Sequence, residues 1–214
     1  MLNSTEYKND IVEFFNVLSE EECNQLINYF NSDESQWQVT CFYGSRVMDP
    51  YINLNDSSYI TREYLDSLRI KFKDIAFNVC KKDLKNLSLS AHKWDIGAYA
   101  DHHSDNTELD GTPNAWQDNK FVTIVYLNDN YDGGNLLFKD HNLSISPKQG
   151  SVVAFDPGFH NLHGVSEIKT GTRYTMLASF DYTDSIYDRD LLEWRKEYSI
   201  EQEEQRKSWD SLNQ

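Results

Sequence analysis

RYTMLASFDY, residues 173–182, carries three aromatic residues and a threonine with neither proline nor glycine, and so reads as a strand. Successive side chains of an extended chain alternate between faces, so Arg173, Thr175 and Leu177 share one face and Tyr174, Met176 and Ala178 the other. Upstream lie SVVAF (151–155), LSIS (143–146), NLLF (135–138), FVTIVYL (121–127) and LSLSAHKW (87–94), further short β-prone runs separated by Gly, Asn, Asp and Pro clusters. The part beyond Lys85 is therefore all-β, and short strands at this spacing favour a double sheet, sandwich or barrel-like.

The earlier part reads differently. In FFNVLSEEECNQLINYF (14–30), Ser19 and Glu22 make a capping box, after which Cys23, Leu26, Ile27 and Phe30 recur on one helical face. From Tyr59 to about Val79, Leu65, Leu68, Phe72, Ile75, Ala76 and Val79 keep a helical period opposite Arg, Lys and Asp. These helices are expected to pack on one sheet. Residues from about 183 to 214 are rich in Glu, Arg and Lys and read as a charged helix or frayed tail. No repeat or low-complexity linker divides the chain. Its organisation is read as one domain over 1–214: a helical part of about 1–85, a core of about 86–182 and the charged segment of about 183–214.

With 39% hydrophobic and 14% aromatic residues, the 214-residue chain has enough apolar surface to fold without staples. Its formal net charge of -15 repels polyanions, so nucleic acid is a poor partner. Cys23, Cys41 and Cys80 are widely spaced and match no metal or disulfide pattern, so they read as reduced structural thiols. No basic start precedes a long apolar run and no window reaches the length of a membrane span. The expectation is a cytoplasmic protein with no membrane partner.

Chemistry concentrates in YADHHSDN (99–106). In an extended chain His103 and Asp105 point to one side and His102 and Ser104 to the other, so the first pair can meet one ion. Redox-active iron needs a third protein ligand with open positions beside it. FHNLHGV (159–165) offers His160 and His163, between which the residues alone do not choose. His102 is expected to face solvent or a supporting hydrogen-bond partner. His92 is expected to pack on its strand and His141 to sit in a polar turn.

In their order, WDIGAYADHHSD (94–105), YLNDNYDGG (126–134), FKDHNLSISPKQGSVVAF (138–155) and LHGVSEIKTGTRYTML (162–177) resemble the Fe(II)/2-oxoglutarate-dependent oxygenases, specifically the prolyl 4-hydroxylase-like family. NVLSEEECNQLINYF (16–30) is a weaker echo. Gly97, Tyr126, Gly133, Gly134, Pro147, Gly150, Phe155, His163 and Arg173 occupy places of the family pattern, and this match ranks His163 above His160. The resemblance implies a double-stranded β-helix, or jelly roll, mainly β with N-terminal helices packed on one sheet. It implies Fe(II) held by His103, Asp105 and His163, and 2-oxoglutarate whose far carboxylate pairs with Arg173 beside Thr175, with a hydroxyl from Tyr126. O2 is consumed, succinate and CO2 are released, and ascorbate can serve as reductant.

Two departures from the pattern stand out. Where the family often has a tyrosine nine residues before the first ligand histidine, this chain has Trp94, which offers an N–H in place of a hydroxyl. Where the family often has Arg and Thr ahead of YLN, this chain has Asn119 and Val122.

The activity so implied is hydroxylation of a C–H bond, prolyl hydroxylase-like, on a peptide or protein. Rival readings are an oxygenase acting on a free amino acid or other small molecule, a jelly-roll binding module without catalysis, and a cupin-like metal hydrolase or isomerase. A complete triad with a correctly spaced arginine argues against the last two. DNTELDGTPNAWQDNK (105–120) is polar and turn-rich, and Trp116, its one aromatic group, makes it a candidate lid over the substrate.

Overall fold

The computed structural model describes residues 2–52, 54 and 60–200. Strands β1 (Ser4–Glu6) and β2 (Val12–Phe14) precede helix α1 (Glu20–Phe30). Strands β3 (Gln38–Val39) and β4 (Ser45–Met48) precede helix α2 (Arg62–Cys80). Ten more strands follow: β5 (Leu84–Trp94), β6 (Ala100–His103), β7 (Phe121–Tyr126), β8 (Asp132–Gly133), β9 (Leu136–Phe138), β10 (Leu143–Ile145), β11 (Val152–Phe155), β12 (His163–Val165), β13 (Ile168–Thr170) and β14 (Arg173–Tyr182). Residues 191–200 are helical again, while 201–214 of the expected charged segment lie outside the described residues.

The strands form an antiparallel eight-stranded major sheet, ordered β1-β2-β11-β7-β14-β5-β4-β3, and a four-stranded minor sheet, ordered β10-β9-β12-β6; β8 and β13 pair separately. This is the expected jelly roll. Alternation along the major sheet sorts its side chains between two cores. Phe121, Val125, Val152, Ala154, Met176, Ala178 and Phe180 pack with Cys23, Leu26, Phe30, Leu65, Leu68 and Phe72 of the two helices. Val122, Tyr126, Val153 and Phe155 face inward, against Leu136, Phe138 and Ile145 of the minor sheet. Burial on both faces explains why FVTIVY and VVAF read as continuous apolar runs.

Both helices start on their caps. Ser19 accepts from the Glu22 N–H while Glu22 reaches back to the Ser19 N–H at 2.8 Å, the reciprocal box read from the sequence. Thr61 caps α2; Tyr59, the expected start, lies outside the described residues. The segment before Lys85 is more than a helical part, because it also supplies four strands to the two edges of the major sheet. These strands are two to four residues long and β1 is exposed throughout, so they carry too little alternation to signal themselves. Among the described residues no helix is long and apolar enough to cross a membrane. The three cysteines are unpaired, but only Cys23 is buried; Cys41 is exposed, which corrects its reading as a structural thiol.

Candidate active site

The two candidate imidazole ligands stand opposite each other in the minor sheet, His103 on β6 paired in register with His163 on β12. Their rings lie 4.5 Å apart, and the Nε2 atom of each is 3.4 Å from Oδ1 of Asp105. One donor atom from each of the three residues falls within 4.8 Å of the others. Asp105 follows β6 rather than extending it, so the pair meets across the strand end instead of along a strand. Backbone carbonyls fix both rings: Nδ1 of His103 lies 2.7 Å from the Asp101 oxygen and Nδ1 of His163 lies 3.0 Å from that of Asn161. With Nδ1–H donating there, each Nε2 keeps its lone pair for the shared centre.

Mutual attraction between the carboxylate and the rings dominates the electrostatics of the cluster. Burial disfavours the His103 imidazolium, but the Asp105 carboxylate outweighs it and raises the His103 pKa. Burial also works against the Asp105 anion, yet His103 and His163 hold its carboxyl well below the usual range. Two neutral imidazoles and one hard carboxylate suit Fe(II) with positions left open. Asp105 is further held by Asn119, whose Nδ2 donates to Oδ2 at 3.0 Å. Phe42 packs on the His103 ring and Phe155 on the His163 ring, with centroids 4.8 and 4.9 Å apart. His160 is exposed on a 3-10 turn and stands outside the cluster, and His102 lines a separate depression with Tyr43 and Tyr99.

A cavity runs inward from this cluster between the sheets, walled by Trp94, Thr175, Leu177 and Arg173, as strand parity requires. Arg173 is 1% exposed, its guanidinium carbon 5.3 Å from the Trp94 ring centroid and 5.0 Å from that of Tyr126. Gly134 makes room for it, since a Cβ there would meet the Arg173 Cδ at 3.0 Å. Four buried polar atoms in this neighbourhood have no hydrogen-bond partner: Arg173 Nε, Trp94 Nε1 and the hydroxyls of Tyr126 and Tyr131. Each buried donor left unpaired costs about 1–3 kcal/mol, so a group of them around one guanidinium fits a buried anionic ligand. Burial raises the pKa of both tyrosines, with Arg173 pulling the other way, so both remain hydroxyl donors. Tyr126 sits behind the guanidinium rather than on the cavity wall.

Sequence reading passed over Tyr131, Asn119 as a partner of Asp105, and His92. His92 lines the cavity on the same face of β5 as Trp94, a position that strand parity predicts once Trp94 is placed there. Nothing in the local sequence announces the reach of Asn119 to Asp105, which depends on how residues 105–120 fold back.

Outside the His-Asp-His cluster lies a vestibule lined by Cys41, Phe42, Glu108, Leu109, Trp116 and Tyr198, among others. Trp116 packs edge-on against Tyr198 of the C-terminal helix, with centroids 5.1 Å apart. Arg195 of the same helix donates to the Ala115 carbonyl at 3.0 Å and pairs with Asp118. Loop 105–120 is thus fastened at both ends, with Asn106 Nδ2 donating to the Asn119 carbonyl at 2.7 Å.

The 2OG-Fe(II) oxygenase superfamily model matches residues 89–180. Among curated proteins, prolyl 3-hydroxylase 2 of Mus musculus is 32% identical over 97 residues, which are 40% of this chain and 14% of that protein. Among solved structures, the viral collagen prolyl hydroxylase vCPH from Paramecium Bursaria Chlorella virus-1, in its 2OG complex, superposes with a TM-score of 0.63 at 18% identity, covering 83% of this chain and 98% of that one. HygX from Streptomyces hygroscopicus with nickel, 2-oxoglutarate and hygromycin B bound gives a TM-score of 0.63 at 13% identity, covering 85% of this chain and 86% of that one. The segment matched by the superfamily model, residues 89–180, holds His103, Asp105, His163 and Arg173, so the family likeness falls on the same residues that the fold gathers around the cavity.

Proposed function

We propose that the protein is an Fe(II)- and 2-oxoglutarate-dependent dioxygenase that hydroxylates a C–H bond in a peptide or protein, with proline as the target residue. The observation that carries this reading is one cavity with a His-Asp-His cluster at one end and a buried arginine among unpaired donors at the other. When bound, Fe(II) with 2-oxoglutarate and O2 supplies an oxidation that turns C–H into C–OH while the co-substrate becomes succinate and CO2. His103, Asp105 and His163 would hold the metal on one side only, leaving its other side to the cavity. Arg173, with Trp94 and Thr175, would bind the far carboxylate and set the depth of the co-substrate, while Tyr126 and Tyr131 lie against the guanidinium from behind. The apolar lining of Val122, Ile124, Leu136 and Phe155 would exclude water from that end.

The substrate would enter through the vestibule, where Trp116 offers an aromatic face to a proline ring. The fastening of its loop to the C-terminal helix supports Trp116 as a fixed wall rather than a hinged lid. Glu108 and the net charge of -15 favour neutral or basic sequences over nucleic acid. Residues 1–214 would act as one oxygenase domain. Three unpaired cysteines support a reducing, cytoplasmic setting.

The test is succinate release from the metal-replete protein with proline-rich peptides, free proline and alkylated single-stranded DNA, with products read by mass spectrometry. A peptide gaining one oxygen in step with succinate is the expected result, and fragmentation places the hydroxyl on the proline ring. Turnover of free proline or DNA with untouched peptide would overturn the substrate; no metal-dependent binding of 2-oxoglutarate would overturn the activity.

A further inference from the structure

We infer that His92 is a binding residue for the metal-side carboxylate of the co-substrate, with Ser90 fixing which ring nitrogen carries the proton. The inference rests on the dioxygenase reading above and extends it to a residue of this chain outside the motif that carries the family resemblance.

The placement follows from the register of β5 against β14. Trp94 pairs with Arg173, His92 with Thr175 and Ser90 with Leu177, three successive inward-facing pairs. Arg173 and Trp94 mark the closed end, while Leu177 also lines the vestibule together with His103 and Asp105. The middle pair, His92 and Thr175, therefore lies between the buried guanidinium and the metal cluster. A 2-oxo dicarboxylate laid along the cavity, with one carboxylate on Arg173 and the 2-oxo acid end on the metal, passes this pair.

The chemistry of the ring agrees. Nε2 of His92 is 2.9 Å from Ser90 Oγ, whereas Nδ1 has no hydrogen-bond partner among the described residues. Burial, with the Arg173 guanidinium, pushes His92 down to about 4, so the imidazole is neutral at physiological pH. In a neutral imidazole one nitrogen donates and the other accepts. If the Ser90 hydroxyl donates to Nε2, Nδ1 is left as an N–H facing an acceptor. A carboxylate oxygen beside the metal is such an acceptor, and the imidazole adds no second charge to a cavity already holding a guanidinium.

Succinate separates this role from a structural one, because it keeps the far carboxylate for Arg173 but lacks the 2-oxo acid end. Titrate 2-oxoglutarate and, separately, succinate into the Mn(II)-loaded parent, His92→Phe, His92→Gln and Ser90→Ala, following heat of binding. Check Mn(II) affinity and thermal midpoint for each variant. His92→Phe is expected to weaken 2-oxoglutarate about tenfold, the scale of one lost hydrogen bond to a charged group, while succinate changes less than about twofold. His92→Gln, which restores a donor, should recover most of the loss, and Ser90→Ala should fall between. Equal weakening of both ligands by His92→Phe would assign His92 to packing alone and overturn the inference, as would unchanged 2-oxoglutarate binding. A parent that binds Mn(II) but neither ligand would instead overturn the dioxygenase reading itself.

Discussion

Asn119 reaches across the site to Asp105, donating from Nδ2 to Oδ2 at 3.0 Å, while its own backbone carbonyl accepts from Asn106. The carboxylate that faces both imidazoles through Oδ1 is thus oriented through its other oxygen by a residue fourteen positions away. Outer partners of this kind are worth about 10–100-fold in metal affinity. Asn119→Leu should therefore lower Mn(II) affinity within that range with the fold intact, as measured by competition with a chelator. Unchanged affinity would mean that the backbone of loop 105–120 positions Asp105 unaided.

His163→Ala should abolish metal binding at concentrations that saturate the parent, because two remaining ligands do not hold Fe(II) or Mn(II) tightly. His160→Ala should bind as the parent does, since His160 is exposed and outside the cluster. The reverse order in a metal titration would show that the distal ligand is wrongly assigned.

Arg173→Ala should weaken 2-oxoglutarate on the order of a hundredfold, the scale of a buried, bidentate, charge-assisted contact, and leave Mn(II) affinity unchanged. Arg173→Lys should recover only part of the loss, since an ammonium lacks the planar fork. Calorimetry on folded variants decides it: parent-like binding by Arg173→Ala would move the anchor elsewhere.

Trp116→Ala should raise the KM for a peptide substrate about tenfold, an aromatic contact's worth, without altering 2-oxoglutarate affinity. Arg195→Ala, which frees the loop from the C-terminal helix, should shift KM in the same direction and by less. If kcat falls instead with KM constant, Trp116 serves the chemistry rather than substrate capture.

Asp181 ties the end of β14 to the turn that leads toward the C-terminal helix, accepting from Ser185 Oγ at 2.6 Å and Tyr187 OH at 2.7 Å, with Lys85 at 3.0 Å. Burial opposes its charge, but these partners hold its pKa below the ordinary carboxylate value. A depressed folded-state pKa stabilises above the unfolded value of about 4, and that contribution is lost as pH falls through the folded one. Asp181→Asn should cost about 1–3 kcal/mol at pH 7, with the difference from the parent shrinking below pH about 4. Denaturant melts at both pH values check it; a gap that persists in acid would mean that the carboxylate's charge contributes nothing.

The strands of the β half and the capped starts of the helices were legible in the sequence, and the order of its motifs pointed to His103, Asp105, His163 and Arg173 as the residues that one cavity would gather. These are local or ordered signals: strand parity turns Arg173 and Thr175 inward, and the Ser19–Glu22 box closes within one helical turn. Tertiary structure alone decided which elements meet. The short edge strands before Lys85 are too brief to show a period, and they take their conformation from hydrogen bonds to β11 and β5. Asn119 reaches Asp105, and Tyr131 comes near Arg173, only because loops fold back between distant strands. His92 shows the border between the two: parity put it on the inward face with Trp94, but only the pairing of β5 with β14 set it opposite Thr175, between the guanidinium and the His-Asp-His cluster.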